Sequence, residues 1–195
     1  MTSFVISDTH FGHTNSWAKF KQADGEPLRP FTSTEEMDEA MVDRWNAKVH
    51  PKDTVYHLGD VVINRKSLHH VSRLNGKLRL IRGNHDIFKD QDYRDVGFDK
   101  IYGVRVFVDK WIFSHIPLHP DCVSSRFRVN VHGHLHANRI TTSDGQLDPL
   151  YHSVCVEQTN YEPVSFDELD ARIQAEWDAI GFTPKKGYFN GSGPS

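Results

Sequence analysis

The chain has 195 residues, 37% of them apolar and 25% charged, and a formal net charge of −3. That length suits one domain with a buried core, and the near balance of charge gives no global electrostatic case for nucleic acid or a membrane surface as partner. No apolar run approaches the ~18 residues that span a bilayer, and the first residues lack the pattern of a secretion signal, so the expected location is cytoplasmic. Thirteen histidines invite a metal reading. Cys122 and Cys155 are far apart, form no CxxC pair, and read as buried small hydrophobes in a reducing compartment.

Phe4-Val5-Ile6 is a short buried strand that runs into Ser7-Asp8-Thr9-His10-Phe11-Gly12-His13. Asp8 and His10, two apart, share a side of an extended chain. A charged loop containing Gly and Pro follows, from about Lys19 to Phe31. Ser33 to Glu36 is a capping box, and Met37, Ala40, Met41 and Trp45 recur at helical spacing before Pro51 stops the helix. Thr54–Leu58 is the second strand and ends in Gly59-Asp60. A helix is expected over Arg65–Leu74, with Leu68, Val71 and Leu74 as its apolar stripe. Lys66, His69, His70 and Arg73 fall on its other side, and Asn75-Gly76 ends it.

Leu78–Arg82 is the third strand, running into Gly83-Asn84-His85-Asp86, with a weak helical signal near Lys89–Val96. Ile101–Val108 and Lys110–Ser114 read as a hairpin around Asp109-Lys110, and its second strand runs into His115. Arg128–His132 is another strand, ending in Gly133-His134-Leu135-His136, and Tyr151–Glu157 is the last. Ser165 to Glu168 is a second capping box. Phe166, Leu169, Ile173, Trp177 and Ile180 form the core face of the final helix. Residues 1–183 read as a single domain and 184–195, rich in Gly and Ser, as a flexible tail.

Five strand ends therefore carry polar blocks: Asp8 and His10, Asp60, Asn84 and His85, His115, and His134 with His136. Polar groups at the carboxyl ends of successive strands are how open α/β sheets build active sites. Carboxylate and imidazole without thiolate suit Mn, Fe, Ni or Zn rather than Ca or Mg alone. The set is too large for one ion, and two ions sharing a carboxylate would use it. His85, next to Asn84 in an extended chain, points another way and is free to act on a substrate. Glycines 59, 83 and 133 allow tight strand exits and close backbone approach.

Asp8-Thr9-His10, Gly59-Asp60, Gly83-Asn84-His85-Asp86, the isolated His115 and Gly133-His134-Leu135-His136 resemble, in order and spacing, the five blocks of the calcineurin-like metallophosphoesterases. The resemblance spans Phe4 to His136, and the run Asp8–Asn15 looks like the compact bacterial and phage branch. It implies an α/β fold, a four-layer sandwich of two mixed β-sheets flanked by helices. It also implies two divalent transition-metal ions, Mn first among Mn, Fe, Ni and Zn. One ion would take Asp8, His10, Asp60 and His136, and the other Asp60, Asn84, His115 and His134. His85 would assist the leaving group, and Asp86 would orient His85. The implied reaction is phosphodiester hydrolysis by a hydroxide bridging the ions, on a phosphate-ester substrate such as a nucleotide or nucleic acid. The alternatives are a nucleotide phosphomonoesterase and a binding scaffold that has lost catalysis. There are two departures from the family pattern, the first of which lowers the case for a phosphoprotein substrate. Val61-Val62-Ile63 replaces the Asp-Arg-Gly continuation of the protein phosphatases, and Ala137-Asn138 follows the last block where a proline is usual.

Other residues carry weaker expectations. His13 and Asn15 stand just past the first block as substrate contacts. Arg126 and Arg128, before the last block, could bind a substrate phosphate if their loop overhangs the site, although Arg128 could simply open a strand. Arg65, Lys66, Arg73, Lys77, Arg79 and Arg82 form a basic stretch, read first as a solvated face and second as a guide for an anion. His50, His57, His69, His70, His119, His132 and His152 read as structural or solvated.

Overall fold

The computed structural model describes residues 1–107, 110–123 and 127–184. Its first sheet is built from β1 (Ser3–Ile6), β2 (Thr54–His57), β3 (Lys77–Ile81), β4 (Phe98–Tyr102) and β9 (Val164–Ser165), in the order β4-β3-β2-β1-β9. The second has β5 (Val104–Phe107), β6 (Trp111–Ser114), β7 (Val129–His132) and β8 (Tyr151–Ser153), in the order β5-β6-β7-β8. Both are mixed. β9 runs antiparallel to β1 and β5 antiparallel to β6, while the other pairs are parallel. Two mixed sheets flanked by helices are thus the observed architecture.

Alternation along the strands splits the core in two. Phe4, Ile6, Val55, Leu78 and Leu80 face Met37, Met41 and Trp45 of α2 (Thr34–Lys48), together with Leu68 and Val71 of a 3-10 helix over Arg65–Arg73. Val5, Tyr56 and Ile81 face Trp111, Phe113, Val129 and Val131 of the second sheet and Leu169, Ile173 and Trp177 of α5 (Phe166–Ala179). Shorter helices are α1 (Thr14–Ala18), α3 (Asp90–Asp95) and α4 (Pro120–Val123).

The segment 101–108 is not one strand. Gly103 divides it, so Ile101 pairs into the first sheet beside Leu80, while Val104–Phe107 pair with β6 in the second. The turn expected at Asp109-Lys110 falls partly on Asp109, and the expected tail on 185–195, both outside the described residues. The helix at 65–73 is 3-10 rather than α, which suits an apolar stripe of three-residue spacing. His70, expected on its polar side, is buried against Phe11. The Ser33 hydroxyl caps α2 as expected, but Glu36 reaches Thr32 N instead of closing the box on Ser33. The box at Ser165 and Glu168 is complete. Cys155 is buried as expected and Cys122 is exposed.

Candidate metal centre

The exits of β1, β2, β6 and β7 meet at one end of the two sheets. Asp8 N donates to Gly59 O (3.0 Å), His10 N to Asp60 O (3.0 Å) and Gly133 N to His115 O (2.9 Å). Such contact needs bare backbone. A Cβ at Gly59 would lie 2.4 Å from Gly83 N, one at Gly83 would lie 2.2 Å from Asp60 Oδ1, and one at Gly133 would lie 2.3 Å from Asp8 Oδ2. Immediately beyond each strand the chain turns sharply. Asp8, His10, Asp60, His134 and His136 all have left-handed backbones, with φ between 46° and 71°. Non-glycine residues adopt this region at a cost that surrounding contacts must offset.

The turns bring six side chains into two clusters, Asp8 with His10 and His136, and Asp60 with His115 and His134. His10 Nε2 lies 3.7 Å from Asp8 Oδ1 and 3.4 Å from Asp60 Oδ2, and His115 Nε2 lies 3.4 Å from the same Asp60 oxygen. Asn84 Oδ1 stands 2.9 Å from His115 Nε2. His85 presents its ring to His10, centroids 5.4 Å apart, from an exposed position. Its N–H donates to Asp60 Oδ1 (2.8 Å).

The tautomers follow from the outer partners. His115 Nδ1 donates to Leu58 O (2.8 Å) and His136 Nδ1 to Glu157 Oε1 (3.0 Å), so Nε2 of each ring is turned to the carboxylates, whose contacts outweigh burial and raise both histidines. Ring nitrogens and carboxylate oxygens converging in this way call for positive charge between them, supplied by a proton on Nε2 or by a metal ion in its place. Asp8 Oδ1 and both ring nitrogens of His10 are buried without a hydrogen-bond partner, which is what metal donors look like before the metal is counted. Atoms bound at about 2.1 Å to one ion stand roughly 3–4 Å apart, matching these spacings. Electrostatics agree. Burial pushes Asp8 up, but the imidazoles of His10, His115 and His136 outweigh it and hold its carboxyl below the usual range. Asp60 is lowered in the same way, its burial outweighed chiefly by His115.

Glu157 and Arg29 belong to this centre and carry no motif that marks them. Arg29 is fully buried. It donates through Nε to Glu157 Oε1 (2.8 Å) and through its terminal nitrogens to Thr9 O (2.8 Å) and Asp8 O (2.6 Å). It therefore holds both the β1 exit and the carboxylate that orients His136. Cys155 adds a thiol donor to Asp8 Oδ2 (3.3 Å).

Other sequence candidates fall elsewhere. Asp86 does not meet His85. Its carboxylate accepts from Asp60 N (2.8 Å), Gly83 N (2.8 Å), Val61 N (3.1 Å) and the Tyr93 hydroxyl (3.3 Å), so it ties the exits of β2 and β3 together. Arg128 opens β7, at the end of the strand opposite His134, with its N–H on Lys110 O. Four strand residues, ~13 Å at 3.3 Å each, separate its backbone from the centre. Arg126 lies outside the described residues. His13 packs edge-on against His10 (5.5 Å), while Asn15 lies on α1. Burial first, then the charges of His10 and Arg29, lower His13 to about 4, so its ring is neutral at neutral pH. In the basic stretch Arg65 is closed on Asp92, Arg73 on Glu39 and Arg82 on Asp90, which favours the solvated face over an anion guide. No described helix is long and apolar enough to cross a membrane.

Comparison with known proteins places this geometry. The family description of a calcineurin-like phosphoesterase superfamily domain matches residues 1–151. An uncharacterized protein of Methanocaldococcus jannaschii is 34% identical over 182 residues, covering 88% of this chain and 90% of its own. The crystal structure of a protein of unknown function from Aquifex aeolicus superposes with a TM-score of 0.62 at 25% identity, over 88% of this chain and 98% of that one. The solved structure of an archaeal phosphodiesterase is more distant, with a TM-score of 0.43 at 18% identity over 78% and 82% of the two chains.

Proposed function

This chain belongs to the calcineurin-like phosphoesterase superfamily, and from that premise we propose that it is a dinuclear-metal-dependent phosphodiesterase. The observation that carries the reading is Asp60 Oδ2, which stands 3.4 Å from His10 Nε2 and 3.4 Å from His115 Nε2, between the two clusters. On this reading Asp8, His10, His136 and Asp60 hold one divalent ion, and Asp60, Asn84, His115 and His134 hold the other. Imidazole and oxygen donors suit Mn first among Mn, Fe, Ni and Zn. Bound there, the ions supply Lewis acidity to the phosphate and lower the pKa of the attacking water.

The chain's own residues do the rest. Asp60 takes the shared position because its second oxygen is already fixed by His85 N. That bond also sets where the His85 ring begins. From its exposed place beside His10, His85 delivers a proton to the departing oxygen. Such help matters most for a poor leaving group, and the choice of a diester over a monoester is the part of this proposal that paired mono- and diester substrates decide. Asp86 acts at one remove, by locking the Asp60 and Gly83 turns. On this reading neutral His13, edge-on to His10, and Asn15 on α1 contact the substrate.

The test is hydrolysis of bis-p-nitrophenyl phosphate with Mn²⁺, before and after chelation, in wild type and Asp60→Asn. Turnover should vanish in the chelated and mutant proteins, and full activity in either would sink the reading. p-Nitrophenyl phosphate, run in parallel, separates a diesterase from a phosphomonoesterase acting on nucleotides. His85→Ala should keep its metal and lose turnover of a diester whose leaving group is an alkoxide, such as a dinucleotide, while p-nitrophenolate, which departs without a proton, is affected less. If metal content falls along with rate, the division of roles is wrong.

A further inference from the structure

Phe20 takes no part in the scheme above, yet its placement is specific. Its side chain is 47% exposed, while its backbone is held on both sides. Lys19 N and Phe20 N both donate to Asn15 O (3.0 and 2.9 Å), and Phe20 O accepts from Leu28 N (2.8 Å). The helix before it, α1, is pinned in turn to the start of α2. Trp17 Nε1 donates to Thr34 Oγ1 (3.0 Å), and the Thr14 and Thr34 hydroxyls bond to each other (3.0 Å). The exposed ring is therefore presented by a fixed main chain.

What it is presented to is the metal centre. Phe20 meets His13 edge-on at 5.5 Å, His13 meets His10 edge-on at 5.5 Å, and His10 meets His85 at 5.4 Å. A row of rings runs from the proposed acid, across a proposed metal donor, to an open aromatic face. Lys19 and Lys21 flank Phe20 in sequence, both exposed and neither in an ion pair among the described residues. Lys48 and Lys110, by contrast, are closed onto carboxylates. A solvent-facing aromatic between unpaired cations, beside a site for phosphate, is the combination that binds single-stranded nucleic acid and nucleotides. The base stacks on the ring whatever its identity, and the cations meet neighbouring phosphates.

We propose that Phe20 and His13 form a stacking subsite for the nucleobase of a nucleotide-bearing phosphodiester whose phosphate lies at the Asp60 centre. The proposal rests on the phosphodiesterase reading and narrows its substrate to esters that carry an aromatic base. A methyl or alkyl ester has nothing to place on Phe20.

Two esters with the same p-nitrophenolate leaving group test it: thymidine 5′-(p-nitrophenyl phosphate) and methyl p-nitrophenyl phosphate. Both are assayed with Mn²⁺ in wild type, Phe20→Ala and Phe20→Trp, with thermal midpoints confirming that each variant folds. Wild type should prefer the thymidine ester. Phe20→Ala should lower the thymidine-to-methyl ratio of kcat/KM about tenfold, the scale of one lost stacking contact. The change should come through KM with kcat held, and Phe20→Trp should restore the ratio. An unchanged ratio, or equal losses on both esters, overturns the subsite. If wild type hydrolyses neither ester, the phosphodiesterase reading fails on its own account. The subsite is then decided by equilibrium binding of thymidine 5′-monophosphate in the presence of Mn²⁺. Binding about tenfold weaker in Phe20→Ala supports it, and equal binding overturns it.

Discussion

At the scale of residues, the centre depends on side chains that touch no substrate. Arg29 and Glu157 form an ion pair shut away from solvent, a costly arrangement unless every donor finds an acceptor. Here the guanidinium reaches Glu157, Thr9 O and Asp8 O, and the same Glu157 oxygen fixes the His136 ring. Glu157→Gln keeps the shape and removes the charge. Its Mn²⁺ affinity should fall about 10–100-fold, the usual effect of losing the partner that orients a ligating histidine. Calorimetric titration of the metal-free protein measures this, and unchanged affinity would show that His136 needs no such partner. His57 makes a different point. Its Nε2 meets Thr9 Oγ1 (2.9 Å), and because that hydroxyl donates to Val61 O, the ring must supply the proton. Its Nδ1 accepts from Gly59 N (3.2 Å), so the ring is built to stay neutral, and burial lowers it to about 3. The unfolded chain, with an ordinary histidine near 6.5, binds the extra proton between those values. Stability must therefore rise with pH across that window and be lost as pH falls through it. His57→Gln should flatten the pH dependence of the metal-free protein's unfolding free energy, measured by urea titration, by at most about 1.4 kcal/mol per pH unit there, the slope of one proton. An unaltered slope would mean that other groups carry the acid limb.

At the scale of elements, the strand exits are packed backbone to backbone. Gly59 combines a close approach, which would put an added Cβ 2.4 Å from Gly83 N, with φ of +96°, whereas Gly83 is restricted by the approach to Asp60 alone. Gly59→Ala should therefore destabilise more than Gly83→Ala, with overpacking alone costing ~1–3 kcal/mol and strain adding to it at Gly59. Urea unfolding ranks the two, and the reverse order would contradict the strain argument. These glycines are legible in the sequence because each precedes or opens a block of metal-binding residue types at the end of an apolar run. The strands and the capped helices α2 and α5 can be read for the same reason, since period and punctuation are local properties, whereas the gathering of the blocks into two ligand sets is implied by the family resemblance. What cannot be read is tertiary. Nothing in Ile101–Val108 says that Gly103 hands the chain from one sheet to the other. Asp86 reads as a partner for its neighbour His85, but its side chain turns back to cap the Asp60 turn 26 residues away in sequence. Arg29 and Glu157 lie 128 residues apart, with no spacing to join them. The left-handed turns at Asp8, His10, Asp60, His134 and His136 leave no sequence mark either, because aspartate and histidine serve equally well in ordinary conformations.

At the scale of the molecule, each donor cluster draws on both sheets. Asp8 and His10 leave β1 of the first sheet while His136 follows β7 of the second, and Asp60 leaves β2 of the first while His115 and His134 follow β6 and β7 of the second. Without cations the same end of the sandwich gathers two carboxylates held in their charged forms, the ring nitrogens of His10, His115, His134 and His136, and five left-handed residues. A metal ion held by either cluster would join one sheet to the other where their backbones are strained. Anything that binds the folded state alone stabilises it by mass action, about 2.7 kcal/mol at a hundred times the dissociation constant. For a chain of this size that is roughly 5–10 °C in melting temperature. Mn²⁺ should therefore raise the midpoint in a concentration-dependent way, and a chelator should return it to the metal-free value. Asp60→Asn, which weakens the carboxylate proposed to be shared by the two ions, should lose most of the rise, whereas His85→Ala should keep it. Differential scanning fluorimetry of the three proteins decides the matter. Absence of a Mn²⁺ shift in wild type, or an equal shift in Asp60→Asn, would rule out a shared carboxylate as the link between the sheets.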